Sequence, residues 1–256
     1  MKYFDLTSGY KMPALGLGTW QLRGSTCTEA VRTALGLGYD HIDTADMYGN
    51  HQAIRQALQG MDTDKIFITS KVRRTDLRHD NVLKMGNRAL SELGVDHLDL
   101  LLIHWPNRQV PIAETLTAMA ELVQQGKVLS IGVSNFTIRD LQEAQQVTKV
   151  PLSVNQVKFH PYNNQRDLLE YCNDHGIVVT AYSPFDNGSL VGDRKLKRIA
   201  AEYDHSFAQI VLRWLVSKGV VVIPKSTNPS HIADNMDIFD WELEPEDYEA
   251  IEALDR

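Results

Sequence analysis

The sequence predicts an α/β fold, a single (β/α)8 barrel of the TIM-barrel type that forms one domain over residues 1–256. Three observations predict it. Eight short, nearly continuous apolar segments are typical of strands buried on both faces. An amphipathic helical pattern follows most of them, as in a parallel sheet covered by helices. No linker or change of composition divides the chain, and roughly 250 residues is the usual size of a closed barrel of eight such units.

The chain begins with a predicted β-hairpin over residues 2–12, because two short strand patterns flank the turn residues Thr7, Ser8 and Gly9. We expect this hairpin to close the bottom of the barrel. The barrel strands are predicted from their apolar runs, at residues 15–18, 41–43, 66–70, 98–103, 130–133, 154–157, 177–181 and 220–223.

The predicted helices lie between these strands and show apolar residues at helical spacing. In the first helix, Ala30 and Ala34 share one face, and Gly38 follows its end. Thr137 is a predicted N-cap, with Asp140 three residues later. The predicted helices are residues 26–37, 51–58, 77–93, 112–125, 137–147, 165–175, 194–203, 207–218, 229–235 and 245–254.

An open, doubly wound sheet is the rival architecture for alternating strands and helices. That fold commonly carries a G-x-G-x-x-G turn between its first strand and helix. Residues 16–18 read Gly-Leu-Gly, but the third glycine is missing and Thr-Trp-Gln follows. The sequence therefore favours the closed barrel.

Composition limits the classes of partner. A net charge of -7 and a pI near 5.7 argue against a nucleic-acid binder, which usually has a basic face. The two cysteines, Cys27 and Cys172, are far apart and form no metal-binding motif, which fits a reducing compartment. The first residues lack the apolar segment of a signal peptide, and no run approaches the ~18 apolar residues of a membrane span. We therefore expect a cytoplasmic protein without a membrane partner.

Titratable and polar residues follow the predicted barrel strands. The carboxyl ends of all strands meet at one rim of a barrel, and barrel enzymes place their chemistry there. We call this rim the mouth. Singly, a lysine after a strand is typical of a solvated surface and a histidine there is typical of a core. Their convergence favours a site, formed by Asp43, Lys71, His104, Ser134, Asn135, Gln156, Tyr182, Ser183, Lys225 and Ser226.

A tyrosine in the same region gives these groups a chemical interpretation. Tyr48 stands five residues after Asp43, and a free phenol has a pKa near ~10. A lysine ammonium such as Lys71 would lower that pKa, and a carboxylate such as Asp43 would hold the ammonium in place. With His104 orienting a carbonyl oxygen, this set is a general-acid device. We expect no metal, because apart from His41-x-Asp43 there is no ligand pattern.

Eight stretches, in order along the chain, carry recognisable motifs: MPALGLGTW (12–20), GYDHIDTADMYGN (38–50), ITSKV (68–72), LDLLLIHWP (98–106), IGVSNF (131–136), VNQVKFHPY (154–162), AYSPF (181–185) and IPKSTNPSHIADN (223–235). Together they resemble the aldo-keto reductase family from end to end. The similarity is greatest to the short prokaryotic branch, which includes the 2,5-diketo-D-gluconate reductases. The resemblance implies a (β/α)8 barrel that binds NADPH (NADP+) without a Rossmann fold.

The resemblance also implies roles for individual residues. Tyr48 would donate the proton, Lys71 and Asp43 would tune it, and His104 would orient the substrate carbonyl. An apolar wall for the substrate would be formed beside His104 by Trp20, Met47 and Trp105. The implied cofactor-binding residues are Thr19, Trp20, Asp43, Ser134, Asn135, Gln156, Tyr182, Ser183, Phe185, Lys225, Ser226, Thr227 and Asn235.

These cofactor-binding residues divide by the part of the nucleotide that they would hold. Ser134, Asn135 and Gln156 would bind the carboxamide of the nicotinamide, and Tyr182 would stack on its ring. The trough would be lined by Thr19, Trp20, Ser183 and Phe185, and the adenosine 2′-phosphate end would be held by Lys225, Ser226, Thr227 and Asn235.

The sequence departs from the family pattern in three places. His231 stands where the family usually has an arginine that grips the 2′-phosphate, so we expect a weakened NADPH preference and leave NADH open. Lys158 stands where a glutamate is usual. The sequence ends at Arg256 without the longer tail that folds over the substrate in many relatives, which predicts an open, permissive pocket.

The predicted function is NADPH-dependent reduction of an aldehyde or ketone by a monomeric oxidoreductase. The residues do not name the substrate, and methylglyoxal-like aldehydes, aromatic aldehydes and keto sugars such as 2,5-diketo-D-gluconate stay open. The alternative is a nucleotide-binding regulatory barrel without significant turnover. A weaker alternative is a barrel hydrolase or isomerase that uses the same acid–base groups without a nucleotide.

Overall fold

The structure is a computed structural model, and it describes residues 1–255. The chain begins with an antiparallel hairpin of β1 (Tyr3–Asp5) and β2 (Lys11–Pro13), in which Tyr3 pairs with Pro13. Gly9 has φ 88° in the turn, where glycine has no steric cost. The predicted hairpin is confirmed.

Eight parallel strands follow in sequence order around one sheet. The first and last are joined directly, because the Gly16 amide donates to the Val222 carbonyl at 2.9 Å and the Val222 amide donates to the Ala14 carbonyl at 2.9 Å. These bonds close the ring, so the barrel prediction is confirmed. The strands are β3 (Leu17–Gly18), β4 (His41–Asp43), β5 (Phe67–Val72), β6 (Leu98–Ile103), β7 (Val128–Ser134), β8 (Leu152–Lys158), β9 (Val178–Tyr182) and β10 (Val221–Val222).

Helices connect the strands and form the outer layer. Thr137 caps α5 as predicted, because its side chain accepts from the Asp140 amide and the Asp140 carboxylate accepts from the Thr137 amide. The helices are α1 (Gly24–Gly36), α2 (His51–Leu58), α3 (His79–Leu93), α4 (Ile112–Gln124), α5 (Ile138–Val147), α6 (Arg166–Asp174), α7 (Arg194–Glu202), α8 (Phe207–Ser217), α9 (Pro229–Met236) and α10 (Pro245–Glu252).

Several element boundaries differ from the prediction. Lys71 lies inside β5 and not after its end, because Lys71 and Val72 continue the ladder opposite Leu102 and Ile103 of β6. The last strand is shorter than the apolar run that predicted it. Three 3-10 helices without a predicted counterpart lie at Asp46–Tyr48, Thr63–Lys65 and Asp186–Gly192. The prediction of one domain over residues 1–256 stays a prediction.

Side chains alternate between the two faces of each strand, so every second residue points into the barrel. The inward residues lie at two levels along the barrel axis. The lower level, which we call the floor, is an apolar cluster in which the hairpin packs against strand residues. It consists of Leu6, Met12, Phe67, Leu100, Leu102, Val154 and Val221. Continuing by twos from Phe67 leads to Thr69 and Lys71, and from Leu102 to His104. The same strands therefore carry an apolar floor and a polar mouth.

The remaining apolar residues form a larger cluster between the strands and the helices, including Ile42, Ile68 and Trp214. Among residues 1–255, no helix has the length and apolar character needed to span a membrane. Over the same residues, no group of three or more His, Cys, Asp or Glu side chains is arranged to hold a metal ion.

Candidate active site

The centre of the mouth is a buried ion pair. The Lys71 ammonium donates to Asp43 Oδ1 at 2.5 Å, to the Thr44 carbonyl at 2.9 Å and to the Tyr48 hydroxyl at 3.5 Å. Lys71 is fully buried. It reaches Asp43 because β4 and β5 are neighbours in the sheet and both side chains point into the barrel. Asp43, Tyr48 and Lys71, which lie at separate positions in the sequence, therefore form one hydrogen-bonded unit.

Charge and burial oppose each other at this pair. Burial lowers the pKa of the Lys71 ammonium, but the Asp43 carboxylate and the Tyr48 hydroxyl outweigh it, so the net pKa is raised and the ammonium stays charged. For Tyr48, burial raises the pKa of the phenol more than the Lys71 ammonium lowers it. A lowered pKa was predicted for Tyr48; the Lys71 contribution has that sign, but the desolvation of the phenol outweighs it. Tyr48 is therefore protonated at neutral pH.

His104 stands beside the phenol. Its ring and that of Tyr48 meet edge to face, with centroids 5.7 Å apart. Burial, and secondly the Lys71 ammonium, lower the pKa of His104 to about 3. Nδ1 of His104 is buried without a hydrogen-bond partner among the described residues. The imidazole is thus neutral at physiological pH, and such a ring has one N–H to donate.

A network of amides surrounds the ion pair on the side of β7, β8 and β9. Gln156 Nε2 donates to Asp43 Oδ2 at 2.7 Å, and Ser134 Oγ donates to the Gln156 carbonyl at 2.8 Å. Asn135 donates to the His104 carbonyl at 3.1 Å and accepts from the Tyr182 hydroxyl at 2.8 Å. Both Asp43 oxygens are therefore held by partners, and four predicted cofactor residues lie next to the ion pair.

Three large apolar side chains stand around the mouth. Trp20, Met47 and Trp105 are 48%, 52% and 46% exposed. Met47 precedes Tyr48 and Trp105 follows His104, so each side chain is carried by the segment that carries a site residue. The side chains predicted to form the substrate wall are thus about half exposed, and their role stays a prediction.

The residues predicted to line the cofactor trough differ in their burial and in their contacts. Thr19 is buried, and its hydroxyl donates to the Asp43 carbonyl at 2.9 Å. Ser183 has φ 50° and donates to Asn187 at 3.1 Å. The Phe185 ring packs edge to face on Phe207 of α8 at 5.5 Å, so part of it belongs to the helical layer.

The residues predicted for the 2′-phosphate end follow β10. The Gly18 amide donates to the Pro224 carbonyl at 3.0 Å, which places the exposed Lys225 beside the start of the β3–α1 segment. Thr227 is exposed, and Asn228 caps α9 by accepting from the Ser230 amide. Two other residues predicted for this end are Ser226, which is half-buried, and Asn235, which is buried on α9. His231, which stands where the family usually has an arginine, is exposed in the first turn of the same helix.

Lys158, the departure that the sequence could not explain, has a partner in the structure. Its ammonium lies 2.5 Å from Asp186 Oδ1, in the 3-10 helix that follows β9. Asp186 also lies 3.7 Å from His160 and accepts from Ser189. A lysine at this position therefore ties the β8 end to the segment after Phe185.

Sequence reasoning missed two residues that fix the site. Thr44 accepts from the Lys71 ammonium through its carbonyl, and Asp46, two residues before Tyr48, is a buried carboxylate held by arginines. Gln156 was predicted as a cofactor residue, but its hydrogen bond to Asp43 was not expected. Asp46 carried a weak signal, because an acid between apolar strand and helix patterns is usually a solvated turn residue. The contact between Gln156 and Asp43, which are 113 positions apart, had no local signal.

The barrel and the Asp43–Tyr48–Lys71–His104 arrangement define the class of protein. The aldo/keto reductase family model matches residues 14–256, and the chain belongs to this family of oxidoreductases. It is therefore an oxidoreductase by family, and the recognition from the sequence motifs is confirmed.

Among individual relatives, the glyoxal reductase of Bacillus subtilis (strain 168) is 39% identical over 254 residues, covering 98% of this chain and 92% of the relative. A crystal structure of a protein provisionally named 2,5-diketo-D-gluconic acid reductase B has a TM-score of 0.96 at 35% identity, covering 100% and 92% of the two chains. The aldo-keto reductase of Bombyx mori, crystallised in complex with NADP, has a TM-score of 0.92 at 32% identity, covering 99% and 92%.

Proposed function

We propose that this protein reduces aldehydes or ketones to alcohols with NADPH, and that Tyr48 donates the proton to the carbonyl oxygen. The observation that carries the proposal is the Lys71 ammonium, buried between Asp43 Oδ1 at 2.5 Å and the Tyr48 hydroxyl at 3.5 Å. A fixed cation beside a phenol stabilises the negative charge that remains when the phenol gives up its proton.

Each residue of the site has a separate role in this proton transfer. Tyr48 holds the proton at neutral pH because burial raises the pKa of its phenol. Lys71 stays charged and stabilises the negative charge that develops on the phenolate oxygen. The neutral His104 can donate one hydrogen bond to the substrate oxygen and hold it near the phenol. Asp43 fixes the ammonium and is itself fixed by Gln156.

The residues present fit a nicotinamide nucleotide. Tyr182 offers a half-buried ring held by Asn135, and Ser134, Asn135 and Gln156 place polar groups beside it. When bound, the reduced nicotinamide supplies the hydride. Lys225 and the N-terminus of α9 offer a cation and backbone amides to the phosphate end. Because His231 replaces the usual arginine, we infer measurable use of NADH.

We propose that the substrates bound at the mouth are small or planar carbonyl compounds. The half-exposed Trp20, Met47 and Trp105 offer apolar surface without enclosing it. The names of the two relatives, glyoxal reductase and 2,5-diketo-D-gluconic acid reductase B, point to dicarbonyls and keto sugars. We propose both classes, together with aromatic aldehydes, for an assay that follows the loss of NADPH absorbance. The monomeric state stays a prediction.

The decisive experiment is Tyr48→Phe. The variant keeps the ring but has no proton to give, and general acids contribute roughly 10²–10⁴-fold, so we expect a kcat loss of that size with an unchanged NADPH dissociation constant. Turnover equal to that of the wild type would refute the role of Tyr48. Tight NADPH binding without turnover on the whole carbonyl panel by the wild type would support the regulatory barrel instead.

The cofactor assignment has its own test in Lys225→Ala. A lost charge-assisted contact costs about 1.5–3 kcal/mol, so NADPH should bind roughly 10–100-fold more weakly while NADH changes little. Lys197→Ala, at an exposed position of α7, is the matched control. Equal losses for the two nucleotides would mean that Lys225 does not read the 2′-phosphate.

A further inference from the structure

The segment that carries Tyr48 is short and needs external support. Tyr48 ends a three-residue 3-10 helix, Asp46–Tyr48, and Gly49 follows with φ 64°. Such single turns have poor hydrogen-bond geometry of their own. The position of the phenol relative to Lys71 therefore depends on what holds this turn from outside.

Two arginines hold the first residue of the turn. Asp46 is buried, and its carboxylate forms ion pairs with Arg73 and Arg88. Arg73 also donates to the Asp46 carbonyl at 3.0 Å, so it grips the backbone as well as the side chain. A buried carboxylate is costly unless it is paired, which means that the two guanidinium groups determine where Asp46 sits.

The contacts continue from Arg88 back to the strand that carries Lys71. Arg88 Nε lies 4.0 Å from Glu92 Oε1, and Glu92 Oε2 lies 3.0 Å from Nδ1 of the buried His51. Nε2 of His51 lies 3.2 Å from Ser70 Oγ. Burial lowers the pKa of His51, so the ring is neutral, donates from Nδ1 to the carboxylate and accepts from Ser70.

These contacts form a chain around the catalytic pair. It starts at Asp46, two residues before Tyr48, and ends at Ser70 of β5 and at Arg73, directly after that strand, on either side of Lys71 in the sequence. We propose that Asp46, with Arg73 and Arg88, is a positioning residue that sets the separation of the Tyr48 hydroxyl and the Lys71 ammonium. This inference rests on the proposed function and assigns Asp46 no contact with the substrate. A misplacement of about 1 Å can cost roughly 10²-fold in rate.

The test compares Asp46→Asn, Arg88→Gln and Arg88→Lys with the control Arg78→Gln. Arg78 pairs with Glu114 at 2.8 Å and has no contact with Asp46. We expect kcat to fall roughly 10–100-fold in Asp46→Asn and less in Arg88→Gln, with KM and the NADPH dissociation constant within about twofold. Arg88→Lys keeps the cation and should recover most of the loss. The control should match the wild type.

A merely structural role predicts a different pattern. Activity would then fall in proportion to folded protein, measured as NADPH-binding stoichiometry, and Arg88→Lys would rescue nothing; this result overturns the inference. So does a kcat of Asp46→Asn within twofold of the wild type. Should Asp46→Asn not fold, Arg88→Gln decides alone, because Arg88 is half-exposed and the Asp46–Arg73 pair remains.

The two proposals fail in distinguishable ways. If Tyr48→Phe keeps full turnover, the proposed function fails. If Tyr48→Phe is inactive and both Asp46→Asn and Arg88→Gln turn over like the wild type, the positioning role alone is refuted.

Discussion

The floor and the mouth of the barrel are built from the same strands but hold together differently. Lys71 of β5 and Leu102 of β6 are opposite each other in the ladder, and both are fully buried. Leu102 packs in the apolar floor, where removing side chains from water is itself stabilising. Lys71 is equally buried, loses its hydration and is held by Asp43, Thr44 and Tyr48. Burial alone therefore does not decide whether a position in the barrel is apolar or charged; the available partners do.

The mouth is the region in which groups proposed for the reaction stand where apolar groups would stabilise the fold at least as well. A buried ion pair repays the cost of desolvation only when its geometry is excellent, and apolar residues of similar volume are often as stable. The mouth keeps charged groups at a position where the floor would use leucine. We therefore expect mutations at the two levels to separate turnover from stability.

The largest effect is expected for Lys71→Met. The variant removes the cation that stabilises the Tyr48 phenolate and leaves Asp43 as an uncompensated buried charge, which costs about 3–5 kcal/mol. We expect kcat to fall at least ~10³-fold and the urea midpoint to drop. Lys149→Met, at an exposed position, is the control. Retained turnover in a folded Lys71→Met variant would remove the distinction between the two levels.

A smaller effect, confined to stability, is expected for Leu102→Ala. The substitution leaves a cavity in the floor, and such changes destabilise by about 2–5 kcal/mol. Because no side chain of the floor forms a hydrogen bond to the proposed reacting groups, kcat per folded molecule should stay within about threefold of the wild type. The free energy of unfolding is measured by urea titration. A loss of turnover as large as that of Lys71→Met would mean that the floor takes part in positioning the mouth.

The smallest effect is a pH dependence of stability from His104. Its pKa is about 3 in the folded protein and near 6.5 when unfolded, so between these values the unfolded state binds a proton that the folded state does not. Stability is therefore lost as the pH falls from 6.5 towards 3. From pH 7.5 to 5.5 the His104 contribution is about 1.4 kcal/mol.

The variant His104→Asn isolates this contribution, because the wild type also contains His41, whose pKa burial lowers to about 3. The wild type should lose about 1.4 kcal/mol more than the variant over that interval, measured by urea titration at each pH. Equal losses would place the protonation of His104 elsewhere on the pH scale.

Much of the fold could be predicted because its signals are local. The apolar run before His104 gave the bounds of β6, and the N-cap pattern at Thr137 gave the start of α5. The convergence of Asp43, Lys71 and His104 followed from their order at strand ends. That step needed only the rule that parallel strands present their carboxyl ends at one rim.

The rest depends on depth and on distant partners, which local patterns do not contain. The pKa of Tyr48 is raised and not lowered, because burial outweighs the ammonium, and burial is a property of the whole barrel. The guanidinium groups around Asp46 come from the segment after β5 and from α3. Lys158 could be identified as unusual from the sequence, but its partner Asp186 was visible only in the structure.

The bonds between Ala14, Gly16 and Val222 have a consequence for biosynthesis. Sealing the sheet joins segments about two hundred residues apart, and such non-local pairing is slow. While a ribosome is still adding the last strand, the two outermost strands present unpaired edges, which are prone to aggregate. Until residue 222 is released, the emerging chain stays soluble only if aggregation is slower than synthesis or if a chaperone covers the unpaired edges.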